Sequence, residues 1–335
     1  MKVEELNNAI KSKKLSGIFF FYGEEDYLLN EKINAIAKKI ITPGTEAFNL
    51  FKFEGPKVSP AEISAAVDQF PQMSEMKLVL AKNTKLLNNA AYSDFKLIKS
   101  LSEHIPDDTC LIFVESDFDK NKLKNIEFIE ENGGIVNFEY IPINKLCVWM
   151  EKFFEKNDKA ILDKDISYII QLCGQSLGKL TKECDKLLNY TEVRRKITRD
   201  DINAVVDKTV EYRVYDMLNN MVAGQSAKAH EQLKYLRDRG EKPITILRLM
   251  TSRLSEILMC KLLKEDGLSP SEISNYFDFK KPLFAVNKTI EESRKFGEKY
   301  LKRMIDKGLY YDLECISGKM DHWSAVEMYL AELTL

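Results

Sequence analysis

The residues with the strongest claim on chemistry come directly after the first apolar run, where Gly23 is followed by Glu24, Glu25 and Asp26 in YGEEDYLLNEKI. The turn after the first strand of a doubly wound domain is where phosphate is cradled. That task needs glycines whose bare backbone wraps the phosphates and a lysine that meets their charge, in the spacing GxxxxGK followed by Ser or Thr. No second glycine or lysine follows Gly23 in that pattern, and three carboxylates would repel a triphosphate. The electrostatics have the wrong sign for ATP, whereas the acids suit the positive N-terminal end of the following helix.

Gly174-Gln175-Ser176-Leu177-Gly178 matches the GxSxG pattern of serine hydrolases. A nucleophile elbow requires a strand before the serine. Ile166, Ile169, Ile170 and Cys173 keep helical spacing instead, so two helices joined by a turn, with Ser176 capping the second, account for the residues better. Asp117, Asp119 and Asn121 imitate the opening of a calcium loop, but Lys122 stands where glycine is needed and Phe128 where glutamate is needed. A helix-start turn explains them. His104, His230 and His322 lie apart from one another and from the cysteines, so no metal is expected.

Two stretches carry binding chemistry. In AEISAAVDQFPQMS, Ile63 and Val67 make the buried stripe of a helix that Pro71 must nearly end, which leaves Phe70 and Met73 around a proline turn. An aromatic and a methionine on a protruding turn are good anchors for a partner's hydrophobic pocket. Equally, both could fold back onto the domain's own core. In FDFKKPLFAVNK, Lys280, Lys281 and Lys288 lie with Phe279 and Phe284, a mixture able to hold a backbone phosphate and stack a base. A solvated helix face over two core phenylalanines accounts for the same letters more simply.

These residues must be positioned by more than one core, since 335 residues exceed what one domain usually supports. The runs Gly17 to Gly23, Phe48 to Gly55, Lys77 to Asn83, Thr109 to Ser116 and Gly134 to Tyr140 read as buried parallel strands between helices. This predicts an α/β domain of about five strands over residues 1–141. Beyond Ile141 the pattern is amphipathic helix. It forms a first cluster over 142–210, with helices Asn144 to Lys156, Asp163 to Cys173, Ser176 to Tyr190 and Thr198 to Asp207. A second cluster over 211–335 contains the long helices Pro243 to Glu265 and Gly297 to Ser317. Hydrophobic residues at 44% and charged residues at 30% describe a soluble globular protein. With 50 basic and 52 acidic side chains the net charge is -2, so any nucleic-acid contact must come from a local patch. The six cysteines have no CxxC pairing and read as reduced core thiols. With no signal-like apolar run near the N-terminus and no membrane span, a cytoplasmic location is expected.

Several ordered blocks carry a family resemblance. They are YGEE followed by DYLLNEKI, then FPQMSEMKLVLAKN, LIFVESDFDKNKLKN, LCGQSLGKLTKECDKLLNY, ITRDDINAVV and the long stretch from Tyr212 to Leu254. In this order they resemble the delta-subunit family of bacterial DNA polymerase III, the clamp-loader member without ATPase activity. The resemblance implies a degenerate AAA+ module over 1–141, a small helical lid over 142–210 and a helical collar over 211–335 that holds the loader together. It further implies a non-enzymatic protein without cofactors, acting in DNA replication. Its partners would be the sliding clamp, neighbouring loader subunits of the ATPase and delta-prime types, and primed DNA within the assembly. Under it, Gln69, Phe70, Pro71, Gln72 and Met73 form the clamp-binding turn, while Phe279, Lys280, Lys281 and Lys288 remain possible DNA contacts. The family's turn commonly carries a bulkier hydrophobic pair near its tip. Here Gln72-Met73 occupies that place and Phe70 comes slightly earlier, so the main anchor is open between them. The rival readings are an active AAA+ ATPase, a DNA-binding scaffold outside replication, and a hydrolase using Ser176.

Overall fold

A computed structural model of the chain describes residues 1–88, 92–277 and 283–333. The elements of the N-terminal stretch are α1 (Val3–Ser12), β1 (Gly17–Tyr22), α2 (Asp26–Ile40), α3 (Glu46–Asn49), β2 (Leu50–Glu54), α4 (Pro60–Val67), β3 (Lys77–Lys82), α5 (Tyr92–Glu103), β4 (Thr109–Glu115), a 3-10 turn (Lys120–Ile126), α6 (Phe128–Glu131), β5 (Gly133–Asn137) and α7 (Ile143–Lys156). The helices that follow are α8 (Asp163–Cys173), α9 (Leu177–Tyr190), α10 (Arg199–Val205), α11 (Val210–Val222), α12 (Ser226–Asp238), α13 (Pro243–Glu265), α14 (Pro270–Asn275), α15 (Leu283–Ser293), α16 (Glu298–Ile316) and α17 (His322–Glu332). By proximity in space the chain divides into two compact units. One comprises Met1–Phe153 with Gln175–Asp185, the other Phe154–Gly174 with Lys186–Leu335.

The first unit is built on a five-stranded parallel sheet in the order β2-β3-β4-β1-β5. Its strands are apolar at nearly every position because both faces are covered. Phe19 and Phe21 pack with α1 and α2 through Leu6, Leu29, Ile33 and Ile36, while Ile18 and Phe20 pack with Ile63 and Val67 of α4 and Ile98 of α5. Period-two alternation therefore sorts side chains between two cores instead of between core and water. The expected five strands and the helical remainder are both observed. Two strand boundaries shifted by two residues or more. Phe48 and Asn49, expected in a strand, close the short α3, because the side chains of Thr45 and Asn49 bond to each other at the turn. β5 stops at Asn137, before the apolar run ends at Tyr140, because the Phe138 carbonyl accepts the Glu25 N–H at 2.9 Å.

The second unit packs α11, α12, α13, α16 and α17 around Met217, Leu233, Met250, Leu254, Met304 and Tyr329. Where α13 meets α16, a Cβ at Gly308 would lie 2.2 Å from the Thr251 hydroxyl and 2.9 Å from that of Tyr329. Only a residue without a side chain admits so close an approach. Gly308→Ala is expected to lower the stability of this unit by about 1–3 kcal/mol through overpacking. The partner change Thr251→Ala, which removes the nearest atom, should recover part of the loss in urea unfolding; a Gly308→Ala chain as stable as wild type would contradict the packing.

Candidate functional site

The capping box of α4 sets the position of the turn that follows it. The Ser59 hydroxyl accepts the Glu62 N–H at 3.3 Å, the Glu62 carboxylate accepts the Ser59 N–H at 2.8 Å, and Pro60 pre-sets the first helical residue. These bonds to Ser59 hold the Glu62 carboxyl below the usual glutamate range. Ile63, Ala66 and Val67 bury the inner face, and the helix ends at Val67, ahead of Pro71 as its missing N–H requires.

Beyond α4 the chain carries Gln69, Phe70, Pro71, Gln72 and Met73 outward. Phe70 is 84% exposed and Met73 78% exposed, so the two side chains do not fold back onto the core. Gln69 and Gln72 are exposed as well, and Pro71 is half-buried. An exposed phenylalanine and methionine three residues apart form an apolar tip, the kind of surface that marks a protein contact. Met73 holds a left-handed φ of 53°, a conformation that a β-branched residue resists.

The backbone of this turn is tied down by polar side chains that sequence reading did not single out. Asn49, wholly buried, donates from Nδ2 to the Gln72 carbonyl at 2.7 Å and accepts the Gln72 N–H on Oδ1 at 2.8 Å. Lys77, the first residue of β3 and also wholly buried, donates from Nζ to the carbonyls of Val67 and Gln69. Burial of this ammonium pulls the Lys77 pKa below the ordinary lysine value, against the opposing influence of Asp108 and Asp68. The Ser74 hydroxyl accepts the Thr42 N–H at 3.1 Å and donates to the Met76 carbonyl at 2.9 Å. A lysine opening an otherwise apolar strand run was the one available signal for Lys77. Nothing local distinguishes Asn49.

At the carboxyl end of β1, where a doubly wound fold places its ligand, Gly23 takes a φ of 128°. Glu25 then turns inward and is completely buried. Its Oε2 accepts the Leu177 N–H at 3.0 Å, and its Oε1 has no hydrogen-bond partner among the described residues. A carboxylate of the chain itself thus stands at the N-terminal end of α9. Neighbouring strand ends bond to one another: Asn83 Oδ1 accepts the Ser116 N–H at 3.1 Å, and Glu115 Oε1 accepts the Lys85 N–H at 2.7 Å. Burial raises the Glu25 pKa, with the amides of Leu177, Tyr27 and Leu28 partly opposing it. Since the folded chain holds this proton more tightly than the unfolded chain, the group's contribution to stability is complete below the ordinary glutamate pKa. It is lost as pH rises through the raised folded value. Glu25→Gln is therefore expected to be at least as stable as wild type at pH 8, with the difference shrinking towards pH 4. Thermal melts across that range check it; a variant clearly weaker at pH 8 would show that the charged form is favoured by folding.

The remaining candidates fall elsewhere. Ser176 lies between two helices, α8 and α9, with no strand before it, so the elbow geometry is not formed. Asp119 caps the 3-10 turn, accepting the Asn121 N–H at 3.0 Å. Among the described residues no group of three or more His, Cys, Asp or Glu could hold a metal ion, and no helix is long and apolar enough to cross a membrane. Lys288 is exposed on α15, whereas Phe279, Lys280 and Lys281 lie outside the described residues. In the second unit the outer face of α16 presents Leu309, Tyr310, Leu313 and Ile316, each more than half exposed. Lys299, Lys302 and Arg303 lie toward its N-terminal end. This apolar stripe carries no chemistry and has the character of a protein–protein contact.

Comparison with known proteins adds two family matches. Residues 19–139 match the model of the DNA polymerase III delta subunit, and residues 211–333 match that of the C-terminal domain of the DNA polymerase III delta subunit. The DNA polymerase III subunit delta of Bacillus subtilis is 22% identical over 332 residues, spanning 97% of this chain and 95% of the relative. The probable DNA polymerase III subunit delta of Aquifex aeolicus is 22% identical over 259 residues, spanning 75% of this chain and 72% of the relative. The solved structure of the Bacillus subtilis DNA clamp loader delta protein superposes with a TM-score of 0.57 at 22% identity, covering 99% of each chain.

Proposed function

The chain belongs to the delta-subunit family of bacterial DNA polymerase III, a clamp-loader component of DNA replication, and from that premise we propose that it grips and opens the sliding clamp through the turn Gln69 to Met73. The observation that carries the proposal is the outward display of Phe70 and Met73 on a braced backbone. Their apolar surface fits a hydrophobic pocket on the clamp. Binding there while the loader holds a shape incompatible with the closed ring would shift the clamp towards its open state, because a ligand moves an equilibrium by its differential affinity for the two states. No chemistry is needed from this chain, and ATP is hydrolysed by neighbouring subunits.

In this reading the first ~140 residues are a degenerate AAA+ module working in the cytoplasm, followed by a helical lid and a collar. Within the collar the apolar stripe of α16 faces a neighbouring loader protein, and Lys288 approaches primed DNA. The test is direct. The purified chain, mixed with its own organism's sliding clamp without nucleotide, is expected to form a complex. Failure to bind the clamp while binding primed DNA would favour a DNA scaffold outside replication.

A further inference from the structure

The exposed turn is held at three points, two on its backbone and one through the Ser74 side chain. Lys77 holds the carbonyl of Gln69, Asn49 holds both backbone groups of Gln72, and Ser74 is bonded to Thr42. Phe70 and Pro71 are suspended between the first pair of anchors and Met73 between the second. We propose that Asn49 and Lys77 are positioning residues that set this turn in its binding shape before any partner arrives; the proposal rests on the clamp-binding reading above.

The chemistry of the two residues supports this role. Asn49 meets Gln72 as an adjoining strand would, donating to the carbonyl and accepting from the N–H. A primary amide does both at once, whereas aspartate keeps only the acceptor and leucine neither. The same Nδ2 lies 2.9 Å from the Thr45 hydroxyl, which fixes the amide's orientation from its own helix. Lys77 joins the last carbonyl of α4 to the first segment of the turn, so the helix end and the turn move together. An ammonium in a core is costly unless its bonds compensate the burial, and here the compensating bonds are those to the Val67 and Gln69 carbonyls. The lysine's place in the core is therefore tied to the helix end and the turn that it holds. The consequence for binding is entropic: backbone freedom that a loose turn would lose on docking has already been lost on folding.

The experiment compares Asn49→Leu, Asn49→Asp and Lys77→Met with wild type and with the Phe70→Ala/Met73→Ala double variant. In the free chain, amide exchange at Gln72 is expected to quicken tenfold or more in Asn49→Leu, and also in Asn49→Asp, where a carboxylate oxygen would replace Nδ2 against the Gln72 carbonyl. Exchange in β1 and β4 should stay near wild type. Affinity for the sliding clamp is expected to fall about tenfold in Asn49→Leu, equivalent to about 1.4 kcal/mol, and chiefly through slower association, because the docking-competent fraction shrinks. Placed on the Phe70→Ala/Met73→Ala background, Asn49→Leu should add little, since both act through one turn. Should Asn49→Leu fail to fold, Lys77→Met and Asn49→Asp carry the same comparison. Unchanged exchange at Gln72, or unchanged clamp affinity when the double variant loses it, overturns the positioning role and leaves the clamp reading intact. If instead the double variant binds like wild type, the clamp reading fails and the exchange measurement alone decides whether these residues hold the turn.

Discussion

Phe70→Ala combined with Met73→Ala is expected to weaken binding to the sliding clamp by roughly 2 kcal/mol or more, the range of an interface hot spot, which is about thirtyfold in Kd. Fully burying a phenylalanine or methionine side chain is worth about 1.5–3 kcal/mol each. Almost none of that burial is used within the free chain, where the side chains are 84% and 78% exposed. Their apolar surface is therefore available for a partner. For the same reason the double variant should unfold within about 0.5 kcal/mol of wild type, as surface substitutions do. The single substitutions decide which side chain is the main anchor, by showing which accounts for the larger share. Met73→Ile is a useful companion. It keeps apolar bulk but strains a φ of 53°, so binding should suffer more than in Met73→Leu. Titration by calorimetry or surface plasmon resonance checks the series. Equal affinity of the double variant and wild type would remove the turn from the interface.

Arg253→Ala is expected to destabilise the second unit by about 3–5 kcal/mol, the usual consequence of removing one partner from a buried ionic cluster. Arg253 is nearly buried, and its guanidinium donates to Glu256 Oε1 at 2.6 Å, to the Thr289 hydroxyl at 3.1 Å and to Glu292. The Tyr215 ring lies 4.9 Å beneath it. Burial disfavours the charged guanidinium, but Glu256 and Glu292 outweigh that and hold its pKa above the ordinary arginine value. Burial, with Glu256 adding to it, pushes the Tyr215 phenol up to about 12. One cation thus joins α11, α13 and α15. Without it two carboxylates face each other in the core, and the melting midpoint should fall on the order of 10 °C. Arg253→Lys should recover part of this, since it restores the charge without the planar fork. Replacing Arg253, Glu256 and Glu292 together by apolar residues should recover most of it, because the penalty lies in the uncompensated charge. A loss below about 1 kcal/mol in Arg253→Ala would mean that water reaches the cluster.

Much of the molecule was legible because its signals are local. Periodicity placed all five strands, since a strand buried on both faces has to be largely apolar, as GIFFFY and TCLIFVE are. Helical spacing and capping chemistry predicted Asp163–Cys173 and Pro243–Glu265 to the residue. They also turned Ser176 and Asp119 into parts of helix starts, away from catalysis and calcium. The apolar turn was located the same way, by a proline forcing the end of α4.

The sequence by itself determined which segments form elements and which residues stand on the turn, because these follow from backbone sterics and from neighbours within a few positions. It left undecided whether Phe70 and Met73 face the core or the solvent. Only the tertiary structure settled that, together with the roles of Asn49, Lys77 and Arg253. Their partners lie in other elements, as Gln72 lies 23 residues from Asn49 and Glu292 lies 39 from Arg253. A polar side chain is read as solvated until a fold buries it, and the bonds that then compensate its burial come from segments that local spacing does not connect.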